Sequence, residues 1–168
     1  MRAYRILYYM IRIIVAIDQQ RGIAKHGYQP WHIPEDVVYF NAQTKLYGAQ
    51  VLMGSTTFKT LSEPLAGRTN YVLTGHHEPI EGTELVHELE EFLSQANEDI
   101  WVIGGAKVYQ QVIDAGLADE LYVTRIAADF GCDQFFPEYE ALYDLRDRGE
   151  QRQENGFTFT YDVFVKKH

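Results

Sequence analysis

A single cysteine, Cys132, is all the thiol this 168-residue chain carries, so no internal disulfide can form. Such a chain relies on a packed core and suits a reducing compartment, which points to the cytoplasm. Cys132 itself reads as a small apolar packing residue and not as a nucleophile. Cations are scarce too: 15 Lys and Arg stand against 24 Asp and Glu, a net charge of −9. That balance argues against general nucleic-acid binding and against attachment to anionic membranes. An anionic ligand would have to be held by a few well-placed cations. No apolar run approaches the ~18 residues of a membrane-spanning helix. Residues 1–10 hold three tyrosines and two arginines but no apolar run of signal-peptide length, and read as an N-terminal extension before the domain proper.

What is present is a core. Hydrophobic residues make up 46% and aromatics 14% of the chain, enough for a packed globular fold of one domain over residues 11–168. Ile11 to Ile17 is a nearly continuous apolar run, the pattern of a strand covered on both faces. Further strands are predicted over residues 50–54, 69–74, 84–86, 100–103 and 120–126. Helices are predicted over 34–47, 56–61, 87–95 and 106–115. Residues 18–28 and 75–82 read as loops. From Phe157 to Val165 apolar and polar residues alternate, as in an antiparallel strand with one wet face. The expected fold class is α/β: a mostly parallel central sheet, helices on both faces, and an antiparallel C-terminal strand.

Pro34 fits the first position of a helix, which puts Glu35 and Asp36 in its first turn. Asp36 shares a face with Phe40, four residues on, while Glu35 turns toward water. On local grounds both acids simply complement the helix dipole. Two strand ends suit phosphates: Ile103-Gly104-Gly105 running into a helix, and Met53-Gly54-Ser55-Thr56-Thr57, glycine then hydroxyls. A tight turn and ordinary N-capping explain each of them equally well taken singly. The full dinucleotide fingerprint of a standard Rossmann domain is missing. Arg68, on a turn before a strand, is either a solvated cation or a clamp for a carboxylate.

Taken together, and in order, Val15-Ala16-Ile17-Asp18, Gly22-Ile23, Pro30-Trp31-His32-Ile33-Pro34-Glu35-Asp36, Phe40, Thr44, Val51-Leu52-Met53-Gly54, Thr57, Pro64-Leu65, Gly67-Arg68, Asn70, Ile103-Gly104-Gly105, Tyr109, Thr124 and Asp133 with Phe136-Pro137 resemble dihydrofolate reductase. The resemblance runs from about Ile11 to the C-terminus. It implies hydride transfer from NADPH to 7,8-dihydrofolate, with NADH use left open, no metal, and a monomer. Asp36 would bind the pterin 2-amino group and N3, Trp31 would hold the water that protonates N5, and Thr124 would bond both carboxylate and pterin. Ile14, Val15, Phe40, Leu61, Leu65 and Ile103 would line the folate slot, with Arg68 on the glutamate α-carboxylate. Ala16, Ile23 and Tyr109 would meet the nicotinamide. Gly54, Ser55, Thr56 and Thr57 with Gly104, Gly105, Ala106, Lys107 and Val108 would hold phosphates, and Thr74 would lie near the adenosine. The Gly104–Gly105 bond would be cis. Antifolate inhibitors of the methotrexate or trimethoprim type would compete for the folate slot.

The sequence also departs from the family pattern. Ala24 follows Ile23 where a glycine is usual, at a cost of about 1 kcal/mol if that position needs φ > 0. Gln29 replaces an apolar residue, Ser55 a basic one, and Gly75, His76 and His77 follow Thr74. The usual Gly-Asp-Thr turn reads Cys132-Asp133-Gln134. Two other readings stand beside the main one. A reductase of the same fold could act on a pyrimidine, although such a substrate has no glutamate tail for Arg68. A non-catalytic folate- or nucleotide-binding protein is the other.

Overall fold

Seven consecutive buried residues, Ile11–Ile17, form β1, the strand around which the rest is built. In the computed structural model, which describes residues 9–168, alternate positions of β1 face different layers. Ile11, Ile13, Val15 and Ile17 pack with Leu89, Leu93, Val108 and Val112. Ile14 instead packs with Val51 and Met53 and against Tyr39, Phe40 and Phe58. Apolar residues at both phases of the two-residue period are what a strand covered by helices on each side requires.

The elements that follow are β2 (Gly22–Ala24), α1 (Pro34–Thr44), β3 (Gln50–Gly54), α2 (Ser55–Thr60), β4 (Thr69–Leu73), β5 (Thr83–Val86), α3 (Leu89–Ser94), β6 (Ile100–Val102), α4 (Ala106–Asp114), β7 (Glu120–Ile126), β8 (Gln134–Phe135), β9 (Tyr143–Arg148), β10 (Arg152–Glu154) and β11 (Phe157–Lys166). The main sheet runs in the order β10-β11-β7-β1-β6-β3-β4-β5, with β9 also on β11. From β7 to β5 every pairing is parallel. β11 lies antiparallel to β7, and β9 and β10 antiparallel to β11. The expected α/β architecture with its antiparallel C-terminal strand is therefore the one observed.

Several expected boundaries move. α1 stops at Thr44, three residues before the expected end, because the chain turns through positive φ at Tyr47, Gly48 and Ala49. α3 starts at Leu89 and β6 ends at Val102; other ends shift by a residue or so, within the usual scatter. The expected loop 18–28 contains β2, which pairs with β8 in a separate two-stranded sheet. Strands of three and two residues are too short to show a period. β9 is exposed along nearly its whole length and has no apolar stripe to announce it. The expected extension lies outside the described residues except for Tyr9 and Met10. The Met10 carbonyl accepts from the Ile100 N–H at 3.1 Å, carrying the β1–β6 ladder one residue further.

The start of α1 is held from far along the chain. Its N-cap, Ile33, has no side-chain cap of its own. Instead Glu154 Oε1 accepts from the Glu35 N–H at 2.7 Å, the Arg152 guanidinium pairs with the Glu35 carboxylate, and Asn155 donates to the His32 carbonyl at 3.0 Å. The expectation that Glu35 faces water is thus corrected: a cation draws it back to β10. Asn155 and Gly156, at φ of 51° and 81°, make the two-residue turn that joins β10 to β11.

At the other end of β1, Arg12 is buried between carboxylates. Its Nε lies 2.9 Å from Glu120 and its other arm reaches Asp99, while Arg146 holds the second Glu120 oxygen at 2.6 Å. The Tyr47 ring caps the guanidinium at 4.0 Å.

Candidate active site

In an open parallel sheet the strand ends on one side converge on a crevice, and ligands bind there. Here that crevice is a cleft of about 490 Å³ bounded by β1, α1, α2, the β6–α4 turn and the loop around β2. Ile14, Val15 and Ala16 form its floor, with Thr124 of neighbouring β7 beside them. Phe40, Leu61, Leu65 and Ile103 make an apolar slot on one side. Ile23, Thr56, Thr57, Gly104, Gly105 and Tyr109 line the other.

Asp36 enters this cleft from the first turn of α1, where its own N–H bonds the Ile33 carbonyl at 3.0 Å. Thr124 Oγ1 donates to Asp36 Oδ1 at 2.7 Å, joining residues 88 apart in the chain. Burial pushes the Asp36 carboxyl above the usual carboxylate range; the Thr124 bond pulls the other way, and the charge of Glu35 adds to the rise. Trp31 is buried beside it, and its Nε1 finds no hydrogen-bond partner among the described residues.

Gly104 and Gly105 are joined by a cis peptide bond, as the resemblance implied. Gly104 sits at φ of 118°, and a Cβ there would meet the Tyr109 ring at 3.2–3.3 Å. Tyr109 is fixed in turn, its hydroxyl donating to the Ile14 carbonyl at 2.7 Å. A Cβ on Gly105 would press on Thr57 Oγ1, and one on Gly54 on Val108 Cγ2. Bare backbone is thus required where β3 and β6 deliver the chain to α2 and α4.

The remaining expected residues are not among those that line the cleft. Gly54 N–H bonds the Gly104 carbonyl at 2.8 Å, so these two strand ends are tied together. Ser55 opens α2, and Ala106, Lys107 and Val108 open α4, with Lys107 exposed and Val108 buried. Thr74 follows β4 and its hydroxyl accepts from the His76 N–H at 3.1 Å. Arg68 lies on the turn just before β4, outside the lining of the cleft. Asn41 Oδ1 and Thr44 Oγ1 of α1 each accept from its Nη1 at 2.9 Å. Among the described residues it has no acidic partner, so its charge is oriented and left unneutralised.

Ala24 and Gln29, the two departures expected near the site, line the cleft, and Gly27, Tyr28, Val37, Thr60 and Gln134 do so beyond the residues expected. Thr60 was open to inference, because it follows Thr56 and Thr57 at four and three residues on α2. Gln134 was not, since only the β2–β8 pairing brings it in. Ala24 is not among the residues with positive φ, so the strain foreseen for an alanine there does not arise. Cys132 is half-buried rather than fully packed away; burial first, then Asp18, pushes its thiol up to about 11, which keeps it unreactive.

Comparison with known proteins agrees with this geometry. The family model described as dihydrofolate reductase matches residues 10–166. The dihydrofolate reductase of Bacillus subtilis (strain 168) is 33% identical over 165 residues, covering 95% of this chain and 96% of that protein. The type 3 dihydrofolate reductase of Salmonella typhimurium is 35% identical over 136 residues, 79% of this chain and 82% of its own. A Staphylococcus aureus dihydrofolate reductase is 33% identical over 130 residues, 77% of this chain. Matched along nearly all of the domain that builds the cleft, the chain belongs to the dihydrofolate reductase family.

Proposed function

We propose that this protein reduces 7,8-dihydrofolate to 5,6,7,8-tetrahydrofolate, with NADPH as the hydride donor. The observation that carries the reading is Asp36, an acid held by Thr124 in an apolar cleft with its proton affinity raised. A pterin presents its 2-amino group and N3 side by side, a pair of polar atoms that one carboxyl group can engage. Asp36 orients and polarises the ring there, and Thr124 fixes the carboxyl. The proton for N5 comes from a water held by Trp31 Nε1, while C6 takes the hydride. A carboxyl shifted toward neutrality is matched to that proton delivery.

The residues present fit a nicotinamide dinucleotide, because Gly54, Gly104 and Gly105 keep clear the space that Cβ atoms would fill. Such a cofactor supplies the hydride from its nicotinamide C4 when bound. Ala16, Ile23 and Tyr109 border that ring. Ser55, Thr56 and Thr57 and the amides of Ala106, Lys107 and Val108 hold the phosphates. Preference for NADPH over NADH rests on Thr74, His76 and Lys107, since Ser55 brings no charge. Arg68 takes the α-carboxylate of the glutamate tail, and Ile14, Val15, Phe40, Leu61, Leu65 and Ile103 hold the rest of the substrate or an antifolate of the methotrexate or trimethoprim type. The reading extends to a monomeric catalytic unit over residues 11–168 in the cytoplasm, the compartment that suits a chain with a single cysteine.

The test is an assay of the purified protein with dihydrofolate and either NADPH or NADH, following loss of the reduced nicotinamide absorbance. Turnover with NADPH is expected. Binding of both ligands without turnover would make the protein a folate-binding module. Reduction of a pyrimidine lacking a glutamate tail in preference to dihydrofolate would make it a reductase of another heterocycle.

A further inference from the structure

Asp36, Phe40 and Thr44 follow one another at intervals of four on α1 and so share one helix face. At the helical rise, Thr44 stands about 12 Å along the axis from the acid. A ligand lying along that face meets a carboxyl group, then an apolar ring, then the hydroxyl that holds Arg68. Both sides of the apolar slot run on to this same cation. Asn41 and Thr44 follow Phe40 on α1, and Arg68 follows Leu65 by three residues.

Most of the Arg68 donors are already committed. A guanidinium has five N–H groups. Nε donates to the Ala66 carbonyl of its own turn at 3.1 Å, and Nη1 donates to both Asn41 and Thr44. The Thr44 hydroxyl in turn donates to the Phe40 carbonyl at 2.8 Å, which leaves its lone pairs for the guanidinium. Among the described residues only Nη2 is without a partner, one nitrogen with room for one carboxylate. Dihydrofolate, the substrate proposed above, ends in a glutamate and so carries two, α and γ.

Lys45 is the other cation at this place. It is the C-cap of α1, directly after Thr44, and its stem lies against the Arg68 turn: a Cβ on Gly67 would stand 3.5 Å from Lys45 Cε. Among the described residues neither Lys45 nor Arg68 is paired with a carboxylate. In a chain with 24 acids and only 15 Lys and Arg, two neighbouring cations without a counter-charge are an exception. The helix dipole favours one cation at this end of α1 but gives no reason for a second beside it. Like charges held together repel, and an anion bound between them relieves the cost. We propose that Lys45 is a second anchor for the tail of the substrate, its ammonium taking the γ-carboxylate while Arg68 takes the α-carboxylate. The γ-carboxylate ends a flexible arm, and a compact charge on a four-carbon stem can follow it where a fixed guanidinium cannot.

The inference rests on the dihydrofolate reading, and its test is equilibrium binding to the full chain, followed by tryptophan fluorescence and independent of turnover. Three ligands are compared: dihydrofolate, dihydropteroyl-glutamine, whose γ-carboxylate is an amide, and dihydropteroyl-isoglutamine, whose α-carboxylate is an amide. Lys45→Gln is expected to weaken dihydrofolate about threefold at low salt, the scale of one exposed ion pair. That loss vanishes near about 1 M salt, where such a pair is screened. The α-amide loses by the same factor, and the γ-amide binds both proteins equally. Lys45→Arg keeps the affinity of the parent. Arg68→Leu gives the mirror image, weakening dihydrofolate and the γ-amide while the α-amide changes little. An equal loss for all three ligands in Lys45→Gln would make Lys45 a structural residue and overturn the proposal, as would undiminished dihydrofolate binding at low salt. A parent protein that binds none of the three would instead sink the dihydrofolate reading itself, and the proposal with it.

Discussion

Glu154 accepts a hydrogen bond from the backbone N–H of Glu35 at 2.7 Å, across 119 positions of sequence. The carboxylate of a β-hairpin thereby does for α1 what its own N-cap, Ile33, cannot do. Glu154→Ala removes that cap and should cost about 1 kcal/mol of stability. Because Asp36 is the next residue along, kcat should fall as well, with cofactor affinity unchanged. Chemical denaturation and steady-state kinetics on the same preparation check both effects. A loss of stability with undiminished kcat would show that the first turn keeps its place without the hairpin.

With Asp36 as the proposed acid of the site, activity works against stability. Its carboxyl binds a proton more tightly in the folded chain than in the unfolded one. The native state is therefore penalised once pH rises above about 3.9, the unfolded value, increasingly until pH passes the folded value and constantly beyond it. Asp36→Asn abolishes the penalty. Its Tm should exceed that of the parent at neutral pH and converge with it near about pH 3, where the parent's Asp36 is protonated in the folded and the unfolded state alike. Its kcat should drop by at least roughly 100-fold, and NADPH affinity should change little. Thermal melts across pH together with single-turnover rates would expose a failure of either half.

Arg68 is held by two neutral acceptors, Asn41 and Thr44, and has no acidic partner among the described residues. Arg68→Leu should raise the KM for dihydrofolate roughly tenfold or more, the scale of one charge-assisted hydrogen bond. A pterin without the glutamate tail should be reduced equally well by both proteins. Thr44→Val, which loosens the aim without removing the charge, should give a smaller rise. If the tail-less pterin suffered as much as dihydrofolate, the clamp assignment would be wrong.

Arg12 should matter for folding and not for turnover. It is buried against Asp99 and Glu120 at the end of β1 away from the cleft. Arg12→Ala leaves Asp99 without its ion-pair partner, with only the Met10 N–H still bonded to it, and should cost about 3–5 kcal/mol, with kcat and KM close to those of the parent below the melting range. A changed kcat at a temperature where the variant is fully folded would link this ion cluster to the site.

Strands β1, β3, β4, β6 and β7 were legible because both faces are covered, so each writes itself as an apolar run. β11 was legible from its alternating apolar and polar residues, yet the face expected to be wet is not: Asp162 and Phe164 on it are buried, between β7 and β9. β10 could have been read as well: Asn155-Gly156 tolerates positive φ at both positions and is followed at once by a strand. β2, β8 and β9 left too little signal, being either very short or polar throughout. Within the site, the helical placement of Asp36 followed from Pro34, yet its bond to Thr124 joins positions 88 apart and no spacing rule reports it. The same holds for Glu35, whose surroundings are set entirely by β10.

β1 finds its two neighbours only in β6 and β7, roughly a hundred residues later. At about 5–20 residues per second of synthesis, this β-prone stretch waits roughly 5–20 seconds for its partners. A bare run of isoleucine and valine left open for that long is a template for strands of other chains. Arg12 flanks the continuous stretch from Ile13 to Ile17 with a charge, the kind of neighbour that discourages such pairing. Once Asp99 and Glu120 arrive, the same guanidinium is neutralised inside the finished sheet. The residue that would be the most expensive to bury alone is thus the one that guards the nascent strand until the sheet can close around it.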